Sequence, residues 1–289
     1  MVKTVIAALF GGSLMLSGVA SGHELKVLQG FKNPESVVAD KAGRVYVSEI
    51  GEFEKDGDGQ ITVIEPDGKR RVFAKGMNDP KGLAFVGQDL YVTDKNRILR
   101  VGVDGQWTVL VDQSAFPVPP AFLNDLEPDF DGKYLYVSDS GDIANQGGTS
   151  GAIYRVILST VKVETIINHQ QDARIKAPNG LWMDDTGEVL IYVDFASGVL
   201  YKLDLLNRHL IELAKGFGGG DGLALGADKK LYISDYINGK VFSLSIDDEV
   251  KLEKQGFQSA ADIGVTADGK VLLIPDMKAG TVTWLELHE

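Results

Sequence analysis

One short pattern recurs along the chain and restricts the folds that it can form. In the copy beginning at Pro178, an apolar strand, a polar turn and a second strand ending in Asp follow one another. Period-two alternation between Gly, Asp and Asn turns is typical of antiparallel β-strands. Six copies occur: PESVVADKAGRVYVSE, PKGLAFVGQDLYVTD, LNDLEPDFDGKYLYVSD, PNGLWMDDTGEVLIYVD, GDGLALGADKKLYISD and ADIGVTADGKVLLIPD. Such self-similarity predicts a repeat architecture.

The length and content of the repeat predict a β-propeller. The second residues of the six copies are spaced by 46, 43, 55, 42 and 41 residues. After each hairpin come a third strand, such as GVLYKLDL, and a fourth, such as HLIELAKGF. A four-stranded unit of about 40–45 residues is typical of one propeller blade. We therefore predict an all-β, six-bladed β-propeller with four antiparallel strands per blade.

The two ends of the repeat array indicate how the ring closes. The sixth copy stops at TVTWLELHE, one strand short, whereas HELKVLQGF precedes the first copy and resembles a fourth strand. Closure removes the exposed strand edges that an open array would carry. We predict that the N-terminal strand completes the last blade, within a single domain that spans residues 23–289.

Residues 1–22 are predicted to be a secretory signal peptide. MVKTVIAALFGGSLMLSGVASG has one Lys, an apolar run and small residues at its end. An uncleaved signal anchor is the alternative, but the apolar run is short for a bilayer span. The chain has no Cys, so no disulfide supports the exported protein. We expect a periplasmic or secreted monomer with no membrane span in the mature chain.

The charge composition argues against one class of partner. Lys and Arg number 29 against 41 Asp and Glu, a formal net charge of −12 at pH 7, and no Lys/Arg-rich run occurs. Such a surface repels a phosphate backbone, so we expect no nucleic-acid partner. Cations and neutral small molecules are the favoured ligands.

Propeller geometry brings the second residue of every copy to one mouth of the central channel, because the first strand of each blade lines that channel. Carboxylates gathered there repel one another, and at least one pKa rises unless a cation neutralises them. Oxygen ligands without Cys or His favour Ca²⁺, with Mg²⁺, Mn²⁺ and Zn²⁺ as alternatives. Ordinary turn chemistry is the other interpretation of each Asn-Gly or Asp-Gly pair. The predicted ring is Glu35, Lys81, Asn124, Asn179, Asp221 and Asp262.

A second set of acids is predicted to return to the same mouth, because the first hairpin of each blade turns at the far face. These acids end the second strands. They are Glu49, Asp94, Asp139, Asp194, Asp235 and Asp276.

Four motifs resemble those of one enzyme family. The Glu after Pro in the first copy, NDLEPDFDGKYLYVSD, PNGL and GDGL are similar to motifs of the regucalcin/gluconolactonase family and its paraoxonase-like relatives. The resemblance covers most of the mature chain. It implies a divalent ion held by Glu35, Asn179 and Asp221, with Asn124 nearby. It further implies hydrolysis of a lactone or related ester, with Asp221 as both ligand and base, and we take Asp262 as the second candidate base.

The sequence departs from that family at the substrate side. The sugar-lactone members carry Arg two residues before the Asn of blade 3, where this chain has Phe122. Phe122 is therefore a predicted substrate contact that favours a less polar lactone or ester. Lys81 is a second predicted substrate contact, as an oxyanion stabiliser, unless it pairs with Asp79 or Asp125. The four His residues, His23, His169, His209 and His288, all lie outside the strand starts.

A second calcium loop is a separate hypothesis. The segment EKDGDGQITVIE places acids or Gly at positions 1, 3, 5, 6 and 12 of an EF-hand-like loop. No helix follows, so a Gly-rich hairpin connection is the alternative. The residues concerned are Glu54, Asp56, Asp58, Gly59 and Glu65.

Two classes of function remain open at this point. The first is a metal-dependent lactonase or esterase, and the second is a non-catalytic propeller that binds a ligand or a protein at its mouth. The fold cannot separate them, because propellers host both. A strictosidine-synthase-like activity would need a condensation site that the sequence does not indicate.

Overall fold

Short alternating strands separated by tight turns assemble into six sheets of four antiparallel strands each. The structure, a computed structural model, describes residues 26–143 and 148–288. It confirms the predicted all-β, six-bladed propeller. The predicted signal peptide, residues 1–22, and His23 lie outside the described residues. Within the described ranges, no helix is long and apolar enough to cross a membrane.

The first three blades follow one another along the chain. Blade 1 contains β2 (Pro34–Ala39), β3 (Val45–Glu49), β4 (Gly59–Ile64) and β5 (Arg70–Met77). Blade 2 contains β6 (Pro80–Val86), β7 (Asp89–Asp94), β8 (Arg97–Val101) and β9 (Trp107–Val111), and a 3₁₀ turn follows at Gln113–Ala115. Blade 3 contains β10 (Leu123–Pro128), β11 (Tyr134–Asp139), β12 (Ala152–Ile157) and β13 (Lys162–Asn168).

The last three blades complete the ring. Blade 4 contains β14 (Pro178–Met183), β15 (Val189–Asp194), β16 (Val199–Asp204) and β17 (Leu210–Lys215). Blade 5 contains β18 (Gly220–Leu225), β19 (Leu231–Asp235), β20 (Lys240–Leu244) and β21 (Val250–Gln255). Blade 6 contains β22 (Gly264–Val265), β23 (Val271–Asp276) and β24 (Thr281–Glu286), with β1 (Lys26–Gln29) as its fourth strand.

The N-terminal strand closes the ring, as predicted. β1 pairs with β24 over four residues, from Lys26 opposite Trp284 to Gln29 opposite Thr281. Phe31, the second residue after β1, is buried in a cluster that joins blade 6 to blade 1. The first and last parts of the described chain are therefore held in one sheet.

The hydrophobic core is divided among the interfaces between blades. Six clusters of buried side chains each join two neighbouring blades; the cluster between blades 4 and 5, for example, packs Val193 and Phe217 against Leu223 and Ile233. Each blade therefore depends on both neighbours for burial, which is the reason that a propeller must close to be stable.

The acids at the ends of the second strands fix the segments that enter the blades. Asp194 Oδ2 accepts hydrogen bonds from the backbone N–H groups of Lys176 and Ala177, at 3.0 and 2.8 Å. Asp94, Asp139 and Asp276 each accept two such bonds, and Glu49 and Asp235 each accept one. These six carboxylates therefore hold the strand starts in place.

A chain that begins at residue 32 should melt at a lower temperature than one that begins at residue 23. The shorter chain lacks every β1–β24 pair and the buried Phe31 ring, and it exposes the edge of β24. Loss of a large buried aromatic side chain alone costs about 3–5 kcal/mol. Calorimetry and size-exclusion chromatography of both chains measure the effect. Equal melting temperatures would contradict closure by β1.

Candidate functional site

Each first strand of blades 1 to 5 has a β-bulge where it lines the channel. In blade 1, Pro34 pairs with Glu49 and Val37 pairs with Val47, so that Glu35 and Ser36 together oppose one residue of β3. The same irregularity occurs in blades 2 to 5. A bulge bends its strand and increases the local twist. The first residues of the five bulges are Glu35, Lys81, Asn124, Asn179 and Asp221, which we call the mouth ring.

In blade 6, the residue equivalent to Glu35 lies one position earlier in the sequence than predicted. Ala260 is bridged to Asp276, as Pro34 is paired with Glu49, so Ala261 and not Asp262 is equivalent to Glu35. Ala261 packs in a small apolar cluster near the mouth. Asp262 takes the position of Ser36, whose hydroxyl donates a hydrogen bond to it, and it lies one layer deeper in the channel. Its predicted place in the mouth ring is therefore wrong.

Glycine follows the ring residue in three blades because the neighbouring blade leaves no room for a side chain. A Cβ atom at Gly180 would lie 2.2 Å from the backbone oxygen of Asp221. One at Gly222 would lie 2.3 Å from an Asp262 carboxylate oxygen. Both glycines lie within strands, so the Asn-Gly and Asp-Gly pairs here are not turns.

The mouth ring forms the polar floor of a cavity of about 290 Å³. All five ring residues line it, and no His of the described part of the chain does. Its walls are apolar, and Phe122, a predicted substrate contact, is among them. The wall residues are Ile50, Phe53, Phe122, Ile143, Phe195, Tyr236 and Met277. A small ligand with an apolar body and one polar group matches such a cavity.

The two carboxyl groups of the ring are buried in an environment that disfavours their charged forms. Glu35 and Asp221 are each 4% exposed. The pKa of Asp221 is raised to about 8, chiefly by burial and secondly by the charge of Asp125, while a hydrogen bond from Asn179 opposes the shift. Burial also raises the pKa of Glu35 well above its usual range, with a further contribution from Asp221 and an opposing one from Lys81.

Lys81 is the only cation of the ring and is itself 4% exposed. Burial lowers its pKa, and the charge of Glu35 opposes that shift. Its Nζ atom lies 4.4 Å from the centre of the Phe122 ring and donates a long hydrogen bond, 3.4 Å, to the backbone oxygen of Asp79. The alternative that Lys81 pairs with the Asp79 or Asp125 carboxylate is not what the structure shows.

Comparison with known proteins assigns this chain to a family. The family model described as SMP-30/Gluconolactonase/LRE-like region matches residues 85–257. The chain belongs to this family. A relative from Arabidopsis thaliana, Protein STRICTOSIDINE SYNTHASE-LIKE 3, is 22% identical over 90% of this chain and 77% of its own length.

Solved structures of low sequence identity share the fold. A luciferin-regenerating enzyme matches with a TM-score of 0.72 and 14% identity, over 91% of this chain and 96% of its own. A streptogramin B lyase matches with a TM-score of 0.64 and 13% identity, over 91% of this chain and 97% of its own. At these identities the likeness concerns the architecture, and the chemistry of this SMP-30/gluconolactonase-like member has to be argued from its own mouth.

The oxygen atoms of the mouth ring are suited to a hard cation. Glu35 Oε2 and Asn179 Oδ1 are buried and accept no hydrogen bond from the described residues. The amide nitrogen of Asn179 donates to Asp221 Oδ1 at 3.0 Å, and that of Asn124 donates to Ser140 Oγ at 3.1 Å. Both amides thus use their nitrogens on the protein and keep their oxygens for a ligand. Carboxylate and amide oxygens are ligands that Ca²⁺ accepts.

This donor set differs from a cluster of acids. Within residues 26–143 and 148–288, no three His, Cys, Asp or Glu side chains are arranged to hold a metal ion. The mouth ring offers two carboxylates and two amides, so the amides would supply half of the side-chain ligands of an ion bound there. The four predicted metal ligands, Glu35, Asn124, Asn179 and Asp221, do line one cavity.

The EF-hand-like segment is a hairpin connection. Its first residues lie in the loop between β3 and β4, and Asp56 is paired with Lys95 at 2.8 Å. Glu65 follows the far end of β4. A strand of six residues spans roughly 20 Å, so Glu65 cannot share one ion with Asp58.

The sequence analysis missed the polar groups in the other half of the channel. Asp125 and Glu127 line, with Asp262, a second cavity of about 400 Å³ at the far side. Burial raises the pKa of Asp125 to about 7 and that of Glu127 to about 8. The sequence signal was the presence of Asp125 and Glu127 in the same first strand as Asn124, but the bulge that brings Asp125 to the channel is seen only in the strand pairing.

The metal-free protein should lose stability as the pH rises from about 5 to about 8. The unfolded chain has released the Asp221 proton at pH 5, whereas the folded chain still holds it because the folded pKa is about 8. Each proton held only in the folded state lowers the free energy of unfolding by about 1.4 kcal/mol per pH unit across this window. Denaturant titrations in chelator measure the slope.

Asp221→Asn is the matched variant for this test, because it removes one titrating group from the ring and keeps its size. It should show a shallower fall of stability with pH than the unmodified chain. A stability that increases with pH, or identical slopes for the two proteins, would contradict the assignment.

Proposed function

We propose that this protein is an exported, calcium-dependent hydrolase of lactones or related esters. The observation that carries the proposal is the pair of buried, unpartnered oxygens, Glu35 Oε2 and Asn179 Oδ1, on the floor of the same cavity as Asp221. Unsatisfied buried polar groups cost about 1–3 kcal/mol each. A ligand cation would satisfy them, and family membership supports a hydrolytic role.

Glu35, Asn124, Asn179 and Asp221 would hold the ion. A bound divalent cation supplies Lewis-acid chemistry: it polarises a carbonyl oxygen and lowers the pKa of water. A positive charge beside Asp221 favours its ionised form, which opposes the effect of burial. Asp221 then becomes able to accept a proton at neutral pH.

Asp221 serves as the general base in this proposal. Its carboxylate takes a proton from the water whose oxygen bonds to the acyl carbon of the substrate. The bond between that carbon and the ester oxygen breaks, and Asp221 returns the proton to the departing alkoxide. The hydrogen bond from Asn179 to Asp221 Oδ1 fixes the orientation of the carboxylate during both transfers.

The apolar walls favour a substrate with few hydroxyl groups. Phe122 stands where sugar-lactone enzymes of the resembling family carry Arg, and its ring faces the ammonium of Lys81. Phe195 and Tyr236 extend the aromatic surface, with ring centres 6.1 Å apart. An aliphatic or aryl lactone or ester would bury its apolar part here. The export of the protein rests on the pattern in residues 1–22.

Calcium should stabilise the folded protein. A ligand that binds only the native state adds about 2.7 kcal/mol at a concentration of 100 times its Kd. The melting temperature of the chelator-treated protein should therefore rise on addition of CaCl₂, and less so for Glu35→Gln. Calorimetry with metal analysis of the same samples provides the measurement. An unchanged melt with less than about a tenth of an equivalent of bound calcium would refute a resident ion.

Asp221→Asn should abolish most hydrolysis even when calcium is saturating. The variant keeps the size of the side chain and one ligand oxygen, but it cannot accept the proton. Loss of a general base lowers the rate by about 10² to 10⁴. Turnover is measured on a panel of apolar lactones and aryl esters at several calcium concentrations.

Asp262→Asn is the control for that experiment, since it is an identical change in the same channel at a residue that does not line the mouth cavity. It should keep most of the activity. Turnover above about a third of the unmodified rate in calcium-loaded Asp221→Asn would refute the base assignment. A protein that binds calcium but hydrolyses nothing would support the non-catalytic binding propeller instead.

A further inference from the structure

Lys81 carries a buried ammonium group that no carboxylate of the described residues pairs with directly. The side chain is 4% exposed. Its one hydrogen bond, to the backbone oxygen of Asp79, is long at 3.4 Å. An ammonium has three N–H donors, so at least two have no acceptor among the described residues. Lys81 also lines the mouth cavity, where those donors can meet a ligand.

The Phe122 ring fixes the ammonium in place. The Nζ atom lies 4.4 Å from the ring centre, a distance at which the ring quadrupole attracts a cation. The same ring belongs to the apolar wall of the cavity. A ligand in contact with both residues would have a negatively charged oxygen attached to an apolar group.

The charges of the floor indicate the charge of that ligand. Under the proposed function, a divalent cation is balanced by the carboxylates of Glu35 and Asp221. The charge of Lys81 then remains in excess. A buried charge without a partner is costly, and an anionic group on the ligand would relieve that cost.

We propose that Lys81 binds a carboxylate oxygen of the ligand, and that the mouth therefore binds apolar monocarboxylates. These are the acids that hydrolysis of an apolar lactone or ester releases. The identification of the acid as a product, and the bound cation that leaves the charge of Lys81 in excess, rest on the proposed function, whereas the unpaired ammonium of Lys81 beside Phe122 does not. The acids should act as competitive product inhibitors.

Lys95 provides a matched control close to Lys81. Its side chain is 43% exposed, and its Nζ atom is already paired with Asp56 at 2.8 Å. It does not line the mouth cavity. Removal of its charge changes the net charge of the protein by the same amount as removal of the Lys81 charge.

The test is isothermal titration of the chain that begins at residue 23, loaded with calcium at pH 7. The probes are hexanoate and its neutral analogue hexanamide. A hydrogen bond to a charged group contributes about 1.5–3 kcal/mol, so Lys81→Met should bind hexanoate about 10- to 150-fold more weakly. Lys81→Arg should retain most of the affinity, and Lys95→Met should bind as the unmodified protein does.

Three results would overturn the inference. The first is equal affinity of Lys81→Met and the unmodified protein for hexanoate. The second is an unmodified protein that binds hexanamide as tightly as hexanoate, and the third is one that binds neither. The second comparison needs no variant. Lys81→Met should fold, because it replaces a buried charge by an apolar chain of similar length. Calcium binding equal to that of the unmodified protein would show that the rest of the mouth ring is intact.

The outcome is separable from that of the proposed function. Lys81-dependent binding of hexanoate without any hydrolysis would leave this inference standing and refute the hydrolase. Hydrolysis by a protein whose hexanoate affinity does not depend on Lys81 would support the hydrolase and refute this inference.

Discussion

The carboxylate that ends each second strand binds the backbone of the segment entering the same blade, and the geometry of the mouth depends on this contact. Asp194 holds the N–H groups of Lys176 and Ala177, and the chain then pairs at Pro178 before the bulge begins. The ring residue Asn179 is therefore the residue directly after the paired Pro178. Repetition of this arrangement around the ring brings side chains from distant parts of the sequence into one cavity.

The acids of this protein thus have two physical roles that their residue type does not distinguish. The six second-strand acids accept hydrogen bonds from nearby backbone N–H groups, and they stabilise the loops. Glu35 and Asp221 face the channel, where burial raises their pKa values. A buried acceptor without a donor costs free energy, and a ligand bound to Glu35 Oε2 and Asn179 Oδ1 would recover that free energy.

The sequence predicted the fold well because the repeat is read from local patterns. Strand alternation and turns recur with each blade, and HELKVLQGF matches the missing fourth strand. Five of the six predicted ring residues do line the mouth cavity. The sixth was displaced by one position because register depends on pairing between strands. The segment SAAD lacks the Pro or Gly that starts most first strands, and the register of blade 6 is seen from the Ala260–Asp276 bridge.

The bulges also explain why the far half of the channel was not predicted. A bulge points two successive residues toward the axis, so Asp125 contributes to the channel immediately after Asn124 does. Its two oxygens accept N–H groups of Leu126 and Leu181, each at 2.7 Å. Its charge raises the pKa of Asp221 on one side and those of Glu127 and Asp262 on the other. Ionisation of either Asp125 or Asp221 disfavours ionisation of the other, so the two halves of the channel form one coupled acid system.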